Sequence, residues 1–335
     1  MNILVTGGAG FIGSEFVRAG LRGQLPGSGD DRITVLDALT YSGNPANLAP
    51  VADRPGYRFV HGDICDPAVV DETVRGHEVI VHFAAETHVD RSISGPGRFV
   101  RTNVLGTQVL LEAALRHGVR RFVHVSSDEV YGSIDQGSWT EESPVDPTAP
   151  YAATKAGSDL MALSFHRTFG MDVVVTRCTN NYGWYQFPEK LIPLFVTNLL
   201  DGLPVPLYGD GENRRDWLHV SDHCRAIQLV LREGRAGEVY HIGGGDELSN
   251  REITGLLLDA CGAGWDRVEH VTDRLGHDRR YSLDATKIRE ELGFVPRIGF
   301  AEGLRSVIEW YRDNRSWWEP LRTRAMLASR DGLAA

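Results

Sequence analysis

Asn2-Ile3-Leu4-Val5-Thr6-Gly7-Gly8-Ala9-Gly10-Phe11-Ile12-Gly13 opens the chain, and its reading decides the fold. Asn2–Thr6 is an apolar run bounded by glycine, the pattern of a buried strand. Gly7, Gly10 and Gly13 then give G-x-x-G-x-x-G, and the apolar spacing through Phe16 and Val17 predicts a helix directly after it. In such a strand–turn–helix unit the first glycine permits the tight turn. The second lets backbone approach a pyrophosphate, and the third lets the helix pack on the strand. The helix N-terminus adds unpaired N–H groups and the positive end of its dipole. A plain strand–turn–helix link is the competing reading, and glycines alone do not exclude it.

Working outward, further strands are predicted at 33–37, 57–62, 79–84, 122–126 and 172–177, with helical patterns between them, clearest at 104–117. Strands alternating with helices imply a parallel sheet with right-handed crossovers. Continuous apolar runs such as Val79-Ile80-Val81 fit a sheet covered on both faces. The expected fold class is therefore α/β: a Rossmann-type doubly wound parallel sheet with a smaller α/β substrate-binding domain. Residues 1–178 read as the dinucleotide-binding domain. Residues 179–321, richer in proline and loops, read mainly as the substrate domain, and 322–335 as a frayed tail. A strand expected at 239–242 sends part of about 216–245 back onto the first domain.

Composition bounds the function. The 335 residues are 42% hydrophobic, enough for a substantial core, and the net charge is −10. That balance argues against nucleic acid or an anionic membrane as the main partner. The four cysteines, Cys65, Cys178, Cys224 and Cys261, are far apart and form no C-x-x-C pair. Neither a metal site nor a disulfide framework is suggested, and reduced thiols fit a cytoplasmic location. No signal peptide is visible, and no run approaches the roughly 20 apolar residues of a membrane span. Of the 35 basic residues only Lys155, Lys190 and Lys287 are lysine, and two of them fall inside the motifs below.

Asp37 ends the second predicted strand. A carboxylate there accepts hydrogen bonds from both adenosine ribose hydroxyls and repels a 2′-phosphate, which favours NAD over NADP. Asp63-Ile64 follows the third strand, where a polar contact beside an apolar wall suits adenine; a bare turn is the equal alternative. Tyr151 and Lys155 are four apart, on one face of a predicted helix. A tyrosine is a poor base at neutral pH, so an ammonium and a cationic cofactor ring nearby are expected to lower its pKa. It then takes the proton of an alcohol as hydride leaves. Between the glycines and this pair lies Ser127-Asp128-Glu129. Ser127 suits a hydrogen bond to the reacting oxygen. Two carboxylates bracketing a substrate suit proton removal at one carbon and protonation of a leaving hydroxyl at the next. A solvated loop with two surface acids is the competing reading.

With these residues in hand, the chain resembles the extended short-chain dehydrogenase/reductase superfamily over nearly its whole length, and within it is similar to the dTDP-glucose 4,6-dehydratase family. The resemblance rests on Gly7–Gly13, Ala84-Ala85-Glu86-Thr87-His88-Val89-Asp90, Ser127-Asp128-Glu129-Val130-Tyr131-Gly132 and Tyr151–Lys155. It extends to Asn180-Asn181-Tyr182-Gly183, Tyr185-Gln186-Phe187-Pro188-Glu189-Lys190-Leu191, Arg215-Asp216-Trp217 and Gly276-His277-Asp278-Arg279-Arg280-Tyr281. It implies a redox-neutral cycle: oxidation at glucose C4, elimination of water across C5 and C6, and reduction at C6. Catalysis falls to Ser127, Asp128, Glu129, Tyr151 and Lys155, with Glu129 as C5 base and Asp128 as acid at C6. NAD contacts fall to Gly7, Gly10, Phe11, Ile12, Gly13, Asp37, Thr40, Asp63, Ile64, Phe83, Ala84, Ala85, Thr102, Tyr151, Lys155 and Asn181. Substrate contacts fall to His88, Ser127, Asn180, Glu189, Lys190, Leu191, Tyr208, Arg215, Asn250, Arg274 and His277. The arginines suit a diphosphate through bidentate, permanent charge.

Two departures stand out. Ser127 replaces the usual threonine and keeps the hydroxyl; Trp184 replaces the usual proline and alters the local loop. Two other readings stay open. An NAD-dependent sugar-nucleotide 4-epimerase has no need of Asp128 and Glu129 as acid and base. A non-catalytic NAD-binding protein needs neither them nor the Tyr/Lys pair. The helices containing 104–115 and 160–169 carry more apolar residues than one sheet-facing stripe requires. Pairing across a two-fold axis into a four-helix bundle buries the excess, and the resemblance likewise implies a homodimer.

Overall fold

A computed structural model describes residues 1–322. The strands in chain order are β1 (Asn2–Thr6), β2 (Arg32–Asp37), β3 (Tyr57–His61), β4 (Val79–His82), β5 (Arg121–Ser127) and β6 (Val173–Cys178). They continue as β7 (Asn180–Tyr182), β8 (Val205–Tyr208), β9 (Arg214–His219), β10 (Val239–Ile242), β11 (Asp246–Ser249) and β12 (Val268–Val271). Seven of them form one sheet in the order β10-β6-β5-β4-β1-β2-β3, every neighbouring pair parallel. This is the doubly wound order, with the winding reversing between β1 and β4. Valine, isoleucine and leucine fill its interior; Leu4, Val5, Ile80, Val81, Phe122 and Val123 are fully buried. Apolar side chains on both faces are what helices packed above and below require.

The strand expected at 239–242 is β10, and it extends the large sheet beside β6. The helix expected at 104–117 is partly different. Its backbone widens to a π-helical stretch over Val100–Gly106 and becomes α-helical only over Thr107–Arg116. In the middle of the widened stretch Asn103 is buried, and its amide ties Glu86 to Thr154. Helix Pro150–Phe169 opens with proline at its first position and ends at Gly170 in the left-handed region.

Two smaller sheets flank the carboxyl edge of the large one. β7, β9 and β11 form the first, with β9–β11 antiparallel, and β8 pairs β12 in the second. Their core holds Tyr182, Trp217, Phe195, Tyr311 and Trp318. Of the tail, only Arg322 lies among the described residues, and its guanidinium pairs with Asp201. Among the described residues no helix is long and apolar enough to cross a membrane.

Candidate active site

The carboxyl ends of β1, β2, β4, β5 and β6 all open onto one cleft, the place where an open α/β sheet binds its ligand. Gly7 leaves β1 with φ +70°, and a Cβ there would lie 2.6 Å from the Ala84 nitrogen. A Cβ on Gly13 would lie 2.4 Å from the Gly7 carbonyl. Gly10 caps helix Phe11–Leu21 without a side-chain hydrogen bond or an acid in the first turn. The N–H groups of that turn therefore face an open cradle suited to a diphosphate. At the end of β2 the carboxylate of Asp37 accepts hydrogen bonds from the Ala9 and Leu39 N–H groups at 2.9 and 2.8 Å. Burial raises its pKa, against those two bonds. The cleft continues past Thr40, Asp63, Ile64, Phe83, Ala84, Ala85, Thr102 and Asn181 to Tyr151 and Lys155. These residues fit a dinucleotide: a glycine cradle, a carboxylate at one end and a Tyr/Lys pair at the other.

A second cleft meets the first. Glu129, Tyr151, Asn180, Glu189 and Lys190 line both, and their meeting point is the natural place for chemistry between two ligands. The second cleft is also lined by His88, Leu191, Tyr208, Arg215, Asn250, Arg274 and His277. Every site residue expected from sequence thus lies on one cleft or the other, Ser127 and Asp128 on the first.

The three-residue run after β5 is shaped by its own turn. Ser127 caps a short 3-10 helix, Asp128–Tyr131, and its hydroxyl accepts from the Glu129 N–H at 3.3 Å while donating to Asp128 at 3.2 Å. Asp128 is buried, and one of its carboxyl oxygens finds no hydrogen-bond partner among the described residues. Burial first, and the Glu129 charge next, push its pKa up to about 8. Burial also raises Glu129, opposed by Arg274, Lys190 and Arg215. Two adjacent carboxyls therefore sit in different fields, one neutral near pH 7 and the other facing three cations.

Tyr151 departs from expectation. Burial, then the Glu129 charge, raise its pKa well above the ordinary phenol value. The largest influences on it oppose the phenolate, and the cationic ring of NAD would supply the stabilising charge expected there. Lys155 donates to the Val125 carbonyl at 2.8 Å, and burial lowers its pKa while Asp159 opposes that shift.

The second cleft sets Lys190, Arg215 and Arg274 among the acids Asp90, Glu129 and Glu189. Arg215 is buried, held by the carbonyls of Arg214, Asp278 and Arg279 and stacked 4.1 Å over Tyr281, and its charge acts on both Glu129 and Asp128. Nε of Arg274 has no hydrogen-bond partner among the described residues. Nδ1 of His277 is hydrogen-bonded to the Asp273 carboxylate at 2.6 Å, and its pKa is lowered by burial first. His88 takes φ +85°, unusual for a non-glycine residue, and burial pushes its pKa down to about 2. Trp184 and Tyr185 themselves line neither cleft: the Trp184 ring packs edge-on to His219 at 5.1 Å, and Tyr185 packs on Trp310 at 4.6 Å. The clefts also gather residues absent from the expected set, including Glu86, Gln186, Phe187, Trp217 and Tyr281. All five belong to the quoted motifs, so their signal was present in sequence without a role attached.

Comparison with known proteins agrees with this geometry. The family model described as GDP-mannose 4,6 dehydratase matches residues 4–307. A dTDP-glucose 4,6-dehydratase of Streptomyces niveus is 72% identical over 323 residues, 96% of each chain. One of Streptomyces antibioticus is 64% identical, covering 97% of this chain and 96% of that one. The crystal structure of DesIV, a dTDP-glucose 4,6-dehydratase from Streptomyces venezuelae with NAD and TYD bound, superposes with a TM-score of 0.95. It is 64% identical and covers 96% of this chain and 100% of that one. A model that spans all but the two ends, with relatives this near, establishes that the chain belongs to the GDP-mannose 4,6-dehydratase family, with the dTDP-glucose 4,6-dehydratases as its near relatives.

Proposed function

We propose that this chain is the NAD-dependent enzyme that converts dTDP-glucose to dTDP-4-keto-6-deoxyglucose for deoxysugar biosynthesis, a hydro-lyase. One observation carries the reading: two carboxyls in different fields stand beside Tyr151 where the two clefts meet. An epimerase or a simple dehydrogenase has no use for that pair.

NAD would supply the hydride chemistry, taking hydride at C4 and returning it at C6, and as it returns a proton from Glu129 or solvent goes back to C5. The chain's residues do the proton work. Tyr151 takes the C4 hydroxyl proton, with Ser127 hydrogen-bonded to the same oxygen and Lys155 fixed below it by the Val125 carbonyl. The C4 ketone makes the C5 proton acidic, and Glu129 removes it. Asp128, neutral at pH 7 because burial and Glu129 raise it, protonates the departing C6 oxygen. Gly7 to Gly13, Asp37 and the cleft between them hold the dinucleotide. Arg215, Arg274 and Lys190 hold the sugar nucleotide's diphosphate, with His88, Asn180, Glu189 and Leu191 toward the sugar and Tyr208, Asn250 and His277 beyond it. This gives the large sheet the cofactor and the smaller sheets the substrate. The free, mostly buried thiols suit a reducing compartment, the cytoplasm. We further propose a homodimer paired through the helices that carry Leu105 and Leu160, both exposed.

The test is incubation with dTDP-glucose in deuterated water without added reductant. A 4-keto-6-deoxy product carrying deuterium at C5 is expected. Formation of dTDP-galactose instead overturns the reading in favour of epimerisation, and no reaction with any sugar nucleotide favours a binding protein.

A further inference from the structure

Tyr41 belongs to none of the motifs above, yet it ties three loops of the active site together. It sits in the loop after β2, whose residues Thr40, Ser42 and Gly43 line the cofactor cleft. That loop doubles back tightly: Leu39 takes φ +50°, and a Cβ on Gly43 would lie 2.9 Å from the Asp37 carboxylate. The turn carries the Tyr41 ring across to the far side. There its hydroxyl donates to Oε1 of Glu189 at 2.8 Å and lies 3.2 Å from the Thr87 carbonyl. The Arg91 guanidinium stacks 3.6 Å from the ring centre, and Phe187 meets the ring edge at 5.5 Å. Burial and the Glu189 charge keep Tyr41 a phenol, so it remains a donor.

The tie joins the loop that holds Asp37 to Glu189, which lines both clefts. The proposed cycle is redox-neutral, so the hydride taken from C4 is the one returned to C6. A cofactor that leaves between the two transfers ends the cycle and strands a ketone. An ordinary dehydrogenase releases its reduced cofactor every turn; this one has to hold it.

We infer that Tyr41, clamped between Arg91 and Glu189, is the positioning residue that retains NAD through the cycle by locking the loop after β2 to the catalytic junction. The inference rests on the proposed redox-neutral function. A hydrogen bond to a charged acceptor corresponds to roughly a 10- to 100-fold change in affinity.

The experiment compares the full-length native protein with Tyr41→Phe, which removes only the hydroxyl and keeps the stacked ring. Three quantities are read: NAD extracted per chain after gel filtration, response of activity to added NAD, and NADH captured by a scavenging dehydrogenase during turnover. The native chain is expected to carry close to one NAD and to leak none. Tyr41→Phe is expected to lose most of its NAD, to regain a near-native kcat when NAD is supplied, and to leak NADH. Arg91→Gln leaves the hydroxyl in place and serves as a second variant; it is expected to lose part of its NAD. Full NAD content in both variants, with activity indifferent to added NAD, overturns the inference. A native chain that dehydrates dTDP-glucose yet carries no NAD overturns it too while leaving the proposed reaction standing. Absence of dehydration in the native chain instead removes the function on which it rests.

Discussion

Asp128 and Glu129 are neighbours in sequence with different surroundings, and the proposed division of labour follows from that difference. Glu129→Gln leaves Tyr151 and Lys155 in place, so oxidation at C4 is expected to proceed and elimination to stop. Reduced cofactor then accumulates on the protein, visible as absorbance near 340 nm after one equivalent of dTDP-glucose. Normal turnover by this variant would remove Glu129 as the C5 base. Asp128 makes a pH prediction. Its folded pKa of about 8 lies far above the unfolded value of about 3.9, so the folded chain holds that proton more tightly. Stability conferred through this group therefore falls as pH rises from about 4 to about 8, and the catalytic acid is lost through the same upper limit. Asp128→Asn is expected to lower kcat by roughly 100-fold or more, and yet to unfold at a higher temperature than the native chain. The gain is expected to widen with pH across that window, towards a few kcal/mol at most. A gain independent of pH would show that Asp128 is ionised in the fold. The pair of carboxylates at a strand end was legible in sequence, because acid and base chemistry needs particular residue types there, while the division of their roles came only from the family resemblance. The splitting of their fields was not, because Arg215, Arg274 and Lys190 reach Glu129 from elements distant in the chain. Tyr41 was illegible for a related reason: its partner Glu189 lies 148 residues away.

At the scale of the element, the glycine cradle carries the plainest prediction. Gly13 needs no unusual φ; it needs the absence of a side chain, because the Gly7 carbonyl occupies the space 2.4 Å from a would-be Cβ. Backbone cannot yield there as a flexible side chain does. Gly13→Ala is expected to cost on the order of 1–3 kcal/mol of stability and to lose bound NAD, read by thermal unfolding and by cofactor extraction. Native stability in this variant would mean that the helix can shift off β1. The strand–turn–helix reading succeeded because strand apolarity and glycine spacing are local signals. The π-helical stretch Val100–Gly106 escaped it. Apolar spacing announces a helix but not how tightly it is wound, and here the winding accompanies a contact outside the helix, the Asn103 bridge between Glu86 and Thr154. The three-stranded sheet escaped as well, since β7 pairs with β9 across the whole β8 region.

For the whole molecule the open question is what covers the outer face of the two helices beside the sheet. Scattered exposed leucines are ordinary on a protein surface and call for no partner. These are grouped: Val100 and Leu105 are exposed on one segment, and Leu160 on its neighbour. The two segments pack closely, for a Cβ added at Gly157 would touch a Val104 methyl at 3.4 Å. A second copy related by a two-fold axis would set the same pair of helices against this one, making four, and would bury apolar surface that otherwise meets water. Sedimentation of the native chain at micromolar concentration is accordingly expected to give about 74 kDa, twice the 37.0 kDa chain. Leu105→Arg combined with Leu160→Arg places two charges on each protomer's face and is expected to give a single-chain mass. Neither leucine lines a cleft, so per-chain dehydration is expected to stay within a few-fold of native. A native monomer would refute the pairing outright. A double variant that remains dimeric would put the two-fold contact on another face, and a monomer that can no longer dehydrate dTDP-glucose would mean that helix Pro150–Phe169 needs its partner to hold Tyr151 and Lys155 in register.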